Sequence, residues 1–123
     1  MRELRYSPAF LALCLLTFPL WAAPSNQGSS QVFTGEISDA LCAKDGSHDK
    51  MMDEMKSMGR DKPSCARKCA QLGSKYVLLD PAKKTIYGLD DQDKAESFAG
   101  RKVTVKGALE KNRIKVSDIE VAD

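Results

Sequence analysis

Three cysteines, the single histidine and four of the five methionines of this chain fall between positions 42 and 69: Cys42, His48, Met51, Met52, Met55, Met58, Cys65 and Cys69. Only Cys14 and Met1 lie outside that stretch. Thiolate, imidazole and thioether are the donors that select zinc or copper over hard cations. Cys42, His48, Cys65 and Cys69 together offer three thiolates and one imidazole, a common tetrahedral zinc set. Cys65 and Cys69 are i and i+4, so on a helix they lie one turn apart on the same side. The overall spacing is not that of a standard zinc ribbon or finger. Copper(I) is the variant reading, since it favours thiolates and thioethers, and Met51 or Met52 would then join His48. Met52 is itself i+4 from His48.

Two other readings of the same residues stand beside the metal site. Three cysteines in an exported chain also fit one structural disulfide and one leftover thiol. The pair would be Cys42 with Cys65 or Cys69, and closing a loop of about 25 residues contributes roughly 3 kcal/mol. A Cys65–Cys69 bond is less natural, because i, i+4 Cβ vectors on a helix do not point at each other. A thiol-reactive protein is the third reading, with Cys65 near a helix N-terminus that lowers a thiol pKa. Met51, Met55 and Met58, at i, i+4 and i+7, share one helix face and read first as core contacts.

Other chemistry is weakly signalled. With one histidine, any hydrolase triad would rest on His48, and no glycine-rich phosphate loop is present. Asp90, Asp91 and Asp93 lack the glycine and distal glutamate of a calcium loop, and helix capping explains them better. Asp39 and Asp45 read as solvated or turn residues. Tyr76 and Tyr87 read as packing rather than as a base-stacking platform. The expectation is a binding module with no catalytic residues, not an enzyme.

The N-terminus sets the expected compartment. Arg2 and Arg5 precede the apolar run from Phe10 to Leu16, followed by Phe18 and Leu20, and Ala22 offers a cleavage site. Residues 1–22 therefore read as a cleaved secretory signal peptide, which makes the protein periplasmic or secreted. Pro19 interrupts the apolar stretch, which is shorter than the ~20 residues a membrane span needs, so no transmembrane segment is expected in the mature chain. The charge of the mature chain is nearly balanced, with 17 Lys+Arg against 16 Asp+Glu. That balance gives no reason for a nucleic-acid partner or a basic membrane surface. The partners expected are a metal ion and an unknown envelope protein or ligand.

The elements that position the cluster follow from the periodicities. Residues 23–31 read as a flexible leader and 32–123 as one domain. Phe33, Gly35 and Ile37 alternate with polar residues in a half-buried strand. Residues 39–73 break that pattern as a helical insertion. One short helix is expected from Ser47 to Gly59, with Asp61-Lys62-Pro63 a connector. A second is expected from an N-cap at Ser64 to Leu72, stopped by Gly73. Tyr76–Leu79 and Thr85–Leu89 are strands around a turn at 80–84. Asp90 or Asp91 caps a helix through Ala99, with Ala95, Phe98 and Ala99 buried. Val103, Val105 and Leu109 mark a fourth strand, and a turn at 110–113 leads to a fifth. In the fifth strand Ile114 and Val116 fall out of phase with Ile119 and Val121, so a β-bulge is expected at Ser117-Asp118. Five strands, with an insertion after the first and a helix between the third and fourth, is the order of a mainly β, OB-fold-like Greek-key barrel. Gly35, Gly88 and Gly107 fall mid-strand, where backbones approach closely.

The motifs Gly35-Glu36-Ile37-Ser38-Asp39, Cys42, Cys65-x-x-x-Cys69, Gly73-Ser74-Lys75-Tyr76-Val77-Leu78 and Phe98-Ala99-Gly100-Arg101-Lys102-Val103-x-Val105-x-Gly107 carry a resemblance. Across most of residues 33–121 the chain resembles a family of small exported bacterial proteins of unknown function with a periplasmic OB-fold-like domain. The resemblance implies export and the barrel, and it brings no catalytic residues. The family commonly shows a glycine after the first cysteine, where this chain has Ala43. It often shows a histidine soon after, which His48 matches.

Overall fold

The computed structural model describes residues 28–46 and 48–122. The expected signal peptide at 1–22, most of the expected leader and the expected cap at Ser47 lie outside the described residues. Among the described residues no helix is long and apolar enough to cross a membrane.

Five strands close into a ring in the order β1-β2-β3-β5-β4, with β4 returning to β1. The strands are β1 (Ser30–Asp39), β2 (Tyr76–Asp80), β3 (Thr85–Leu89), β4 (Lys102–Glu110) and β5 (Arg113–Val121). All pairings are antiparallel except the short β3–β5 contact, where Gly88 faces Arg113 and Leu89 faces Ile114. β1 begins two residues earlier than its alternation implied, and it serves two neighbours. Its first part pairs with β4 from Ser30↔Ala108 to Glu36↔Lys102, and its last part pairs with β2 from Glu36↔Leu79 to Asp39↔Tyr76. Gly35 sits just before this changeover, where a Cβ would collide with the Leu79 carbonyl oxygen. Gly107 is likewise crowded by the Lys115 carbonyl, whereas Gly88 has room. The expected bulge is present: Lys106 faces Asp118 and Gly107 faces Val116, which leaves Ser117 unpaired in the ladder. The Ser117 hydroxyl donates to the Lys106 carbonyl at 2.9 Å.

The interior of the ring holds Phe33, Ile37, Leu78, Tyr87, Val103, Val105 and Ile114. The Phe33 and Tyr87 rings pack 5.2 Å apart. Tyr76 and Tyr87 are both core residues. At the end of β1 the alternation stops, because Ser38 and Asp39 are as buried as Ile37. The helical segment lies against the outer side of the strand there.

That segment is built differently from its periodicity. A helix the pattern did not signal, α1 (Ala40–Asp45), follows β1 directly. Asp39 is its N-cap, accepting from the Leu41 and Cys42 amides at 3.0 Å each. α2 (His48–Glu54) stops short of Gly59, because the backbone breaks at Met55 (φ −129°, ψ 87°) and resumes as a 3-10 turn at Lys56–Met58. The break turns Met58 inward to 4 % exposure and leaves Met55 at 47 %. Met51, Met55 and Met58 therefore do not share a face, and burial of the Met58 side chain overrides helix continuation. α3 (Lys62–Gln71) starts two residues before Ser64. Asp61 is the cap, accepting from the Ser64 amide at 2.8 Å, a bond that holds its carboxyl below the usual range. Pro63 is tolerated in that first turn, where an amide proton has no helical partner. Gly73 (φ +101°) ends α3 as expected. Its amide donates to the Ala70 carbonyl and the Ser74 amide to the Cys69 carbonyl, a Schellman motif.

α4 (Gln92–Glu96) is capped by Asp91 and unwinds into turns before Gly100. Gly100 has φ +74°, and a Cβ there would collide with the Lys62–Pro63 backbone. Its amide donates to the Ile37 carbonyl at 2.7 Å. The start of α3, which carries two cysteines, thus rests on a glycine turn 37 positions further along the chain.

A buried thiol cluster beside an unpartnered Asp–His pair

Two elements bring the cysteines together. α1 turns Cys42 inward, and α3 presents Cys65 and Cys69 from successive turns of one face. All three thiols are free and at most 1 % exposed. Their sulfurs lie within 4.8 Å of one another, with Cys42 Sγ and Cys65 Sγ 3.9 Å apart. Met58 is buried in the same cluster, and the partly buried Met51 and Met52 pack against it. Met52 also lines an open cavity of about 280 Å³ with Asp49, Asp53, Lys56, Gly59 and Arg60. Its thioether side chain therefore separates the thiols from solvent.

Burial raises all three thiols above their ordinary pKa. Cys69 is pushed up to about 11, first by desolvation and then by the Asp39 charge. Cys42 is raised furthest, by desolvation and then by the adjacent Asp39 carboxylate. Desolvation dominates at Cys65 too and outweighs the hydrogen bonds from its sulfur neighbours. This environment works against the activated thiolate that thiol chemistry at Cys65 requires. Cys65 is also fully buried, in the first turn and a half of a helix capped by Asp61.

His48 is buried to 2 % exposure, but it does not join Cys65 and Cys69. One of its ring nitrogens, an Asp39 oxygen and Cys42 Sγ form a second group whose atoms lie within 4.8 Å of one another. Cys42 is common to both groups. His48 Nε2 lies 3.1 Å from Ser38 Oγ and 3.5 Å from Glu36 Oε1. His48 Nδ1 lies 3.7 Å from Asp39 Oδ2, too far for a hydrogen bond. Both atoms are buried without a hydrogen-bond partner. Asp39 is 0 % exposed, so the expectation of a solvated turn residue is corrected. The missed signal was its position one residue before a helix that has no apolar periodicity of its own.

No protein-family model matches this chain, and neither does any curated protein or solved structure with which it was compared. The described residues include a buried Cys/His/Asp group with the composition and proximity to hold a metal ion. They include no disulfide: Cys42, Cys65 and Cys69 are all free, and the 3.9 Å between Cys42 Sγ and Cys65 Sγ is well beyond the ~2.05 Å of an S–S bond.

Proposed function

We propose that this protein is an exported binding module, not an enzyme, whose helical segment holds a soft metal ion, zinc or copper, in the thiol cluster. The observation that carries the proposal is the convergence of Cys42, Cys65 and Cys69, from two separate helices, in a closed apolar setting. Around an ion with metal–sulfur bonds of ~2.3 Å, tetrahedral thiolates stand about 3.8 Å apart and trigonal ones about 4.0 Å. The Cys42–Cys65 separation is 3.9 Å. Two thiols in simple contact can stand equally close, so the selective feature is that a third sulfur, Cys69, lies within 4.8 Å of both. Met58, Met51 and Met52 supply soft, adaptable walls, and Met52 faces the side from which an ion would enter.

The scaffold is read as an OB-fold-like barrel. The ring order β1-β2-β3-β5-β4, with α4 between β3 and β4, supports that reading. The charged, apolar and small-residue pattern of positions 1–22 supports export, as does the resemblance to small exported bacterial proteins. A metal would also protect three thiolates in an oxidising compartment.

One observation favours a second reading. Cys42 and Cys65 are in contact, and a modest approach of their sulfurs would make the disulfide-stapled envelope protein. The two readings separate in native mass spectrometry and thiol counting on protein isolated without chelator or reductant. Bound zinc or copper with three reactive thiols after metal removal supports the metal site. A mass lower by two hydrogens, with one thiol and no metal, would replace it with the disulfide. Cys65→Ser tests the site directly, with metal affinity expected to fall at least tenfold while the far-ultraviolet circular dichroism is unchanged.

A further inference from the structure

The thiol cluster accounts for three donors, but it leaves the buried Asp39–His48 pair without a role. Ser38 Oγ lies 3.3 Å from the Asp39 carbonyl oxygen and 3.1 Å from His48 Nε2. Glu36 Oε1, the other neighbour of Nε2, is an acceptor. Both neighbours hold the Nε2 side of the ring. Nδ1, on the other side of the ring, faces Asp39 Oδ2, and both atoms are buried without a hydrogen-bond partner. Two buried polar atoms facing each other without a hydrogen bond forgo hydration, a cost that a cation bound between them removes.

The geometry fits such a cation. With metal–nitrogen and metal–oxygen bonds of about 2.1 Å, ligand atoms in a tetrahedral site stand about 3.4 Å apart, and about 3.6 Å in a trigonal one. Nδ1 and Oδ2 stand 3.7 Å apart, and Cys42 Sγ belongs to the same group. Metal-bound histidines characteristically donate their other ring N–H to a carboxylate or another acceptor, the arrangement Glu36 and Ser38 provide here. Asp39 is held in turn, because its Oδ1 accepts from the Leu41 and Cys42 amides and from Ser74 Oγ at 3.3 Å. This leaves Oδ2 as its free donor.

We infer that the site takes two zinc ions, one at Cys42, Cys65 and Cys69 and one at Asp39, Cys42 and His48, with the Cys42 thiolate bridging them. The inference rests on the proposed metal-binding function and extends it to a second ion. Charge balance supports the divalent pair. Once deprotonated as ligands, the three thiolates and the Asp39 carboxylate carry four negative charges in a buried volume, and two zinc ions neutralise them. A single zinc would leave two of those charges uncompensated, and so would two copper(I) ions. Glu36 does not alter the count, since Lys62 pairs with it at 3.0 Å from the solvent side.

The test is a zinc titration of the reduced, metal-free protein, read by native mass spectrometry and by competition with a chromophoric chelator. It is paired with ¹¹³Cd NMR of the cadmium-loaded protein. The expected result is two zinc ions per chain and two ¹¹³Cd resonances coupled to each other through the shared sulfur. His48→Ala and Asp39→Asn should each bind one zinc, with the affinity of that ion within about tenfold of the wild type. Asp39→Asn keeps the helix-capping oxygen, so it reports on the donor set even if His48→Ala disturbs packing. Saturation of the wild type at one ion, or two ions retained by both variants, would overturn the inference while leaving the thiol site intact. No zinc at all would remove the metal-binding reading and this inference together.

Discussion

Asp39→Asn should stabilise the metal-free protein, and this is the most discriminating prediction of the site geometry. The substitution is nearly isosteric. Asparagine keeps the oxygen that caps α1, and it ranks with aspartate as an N-cap, so the bonds from the Leu41 and Cys42 amides survive. On the other side, the acceptor Oδ2 becomes an NH₂ donor facing His48 Nδ1, which accepts from it in the Nε2–H tautomer. The present 3.7 Å separation needs to close by less than 1 Å to make a hydrogen bond. Two buried polar atoms without partners then become one satisfied pair. An unsatisfied buried polar group costs about 1–3 kcal/mol, so the metal-free variant should gain on the order of that amount. For a domain of this size each kcal/mol moves the melting temperature by about 4–8 °C, so the expected rise is at least about 4 °C. The assay is thermal unfolding of both proteins by circular dichroism, reduced and in the presence of chelator. Zinc should reverse the ranking, because the variant gives up a donor that the wild type uses. A metal-free variant that melts at or below the wild type would refute the reasoning, since the orphaned pair would then not be a cost carried for a ligand.

Four further outcomes are expected. Burial holds the thiols protonated near neutral pH, with Cys69 near 11, so loading the thiol site releases three protons. Zinc affinity there should rise with pH by up to about three decades per unit, and calorimetry in buffers of different ionisation enthalpy should count the protons. The same raised values mean that the metal-free fold binds more protons than the unfolded chain at alkaline pH, so its stability should fall as pH rises above about 9 in denaturant titrations. Gly100→Ala forces a side chain into the left-handed region against the Lys62–Pro63 backbone. It should cost at least about 1–2 kcal/mol in chemical denaturation and weaken metal binding through displacement of α3, although residue 100 is no ligand. Met58→Ala removes a 4 % exposed side chain from beside the thiols and should destabilise by about 2–5 kcal/mol. Met55→Ala, at 47 % exposure, should be close to neutral in the same assay.

The strands, their turns and the bulge were legible in the sequence because each is written in local terms. Alternation of Phe33, Gly35 and Ile37 marks a half-buried strand. Asp80-Pro81 marks a turn, and the phase slip around Ser117 marks an extra residue. The donor types of the site were equally legible, because the chain concentrates its thiols, thioethers and imidazole between positions 42 and 69. What tertiary structure alone decided is which of those donors meet. Asp39 looked like an ordinary turn residue, and it became a buried cap only because α1 folds back over the end of β1. The methionine face dissolved at Met55 because burying Met58 against the thiols outweighs another helical turn. His48 sits with Asp39 rather than with Cys65 and Cys69, because of how α2 packs against α1 and α3. Periodicity reports which side of its own element a residue faces. It carries no information about which other element covers that side, and the grouping of donors depends on that.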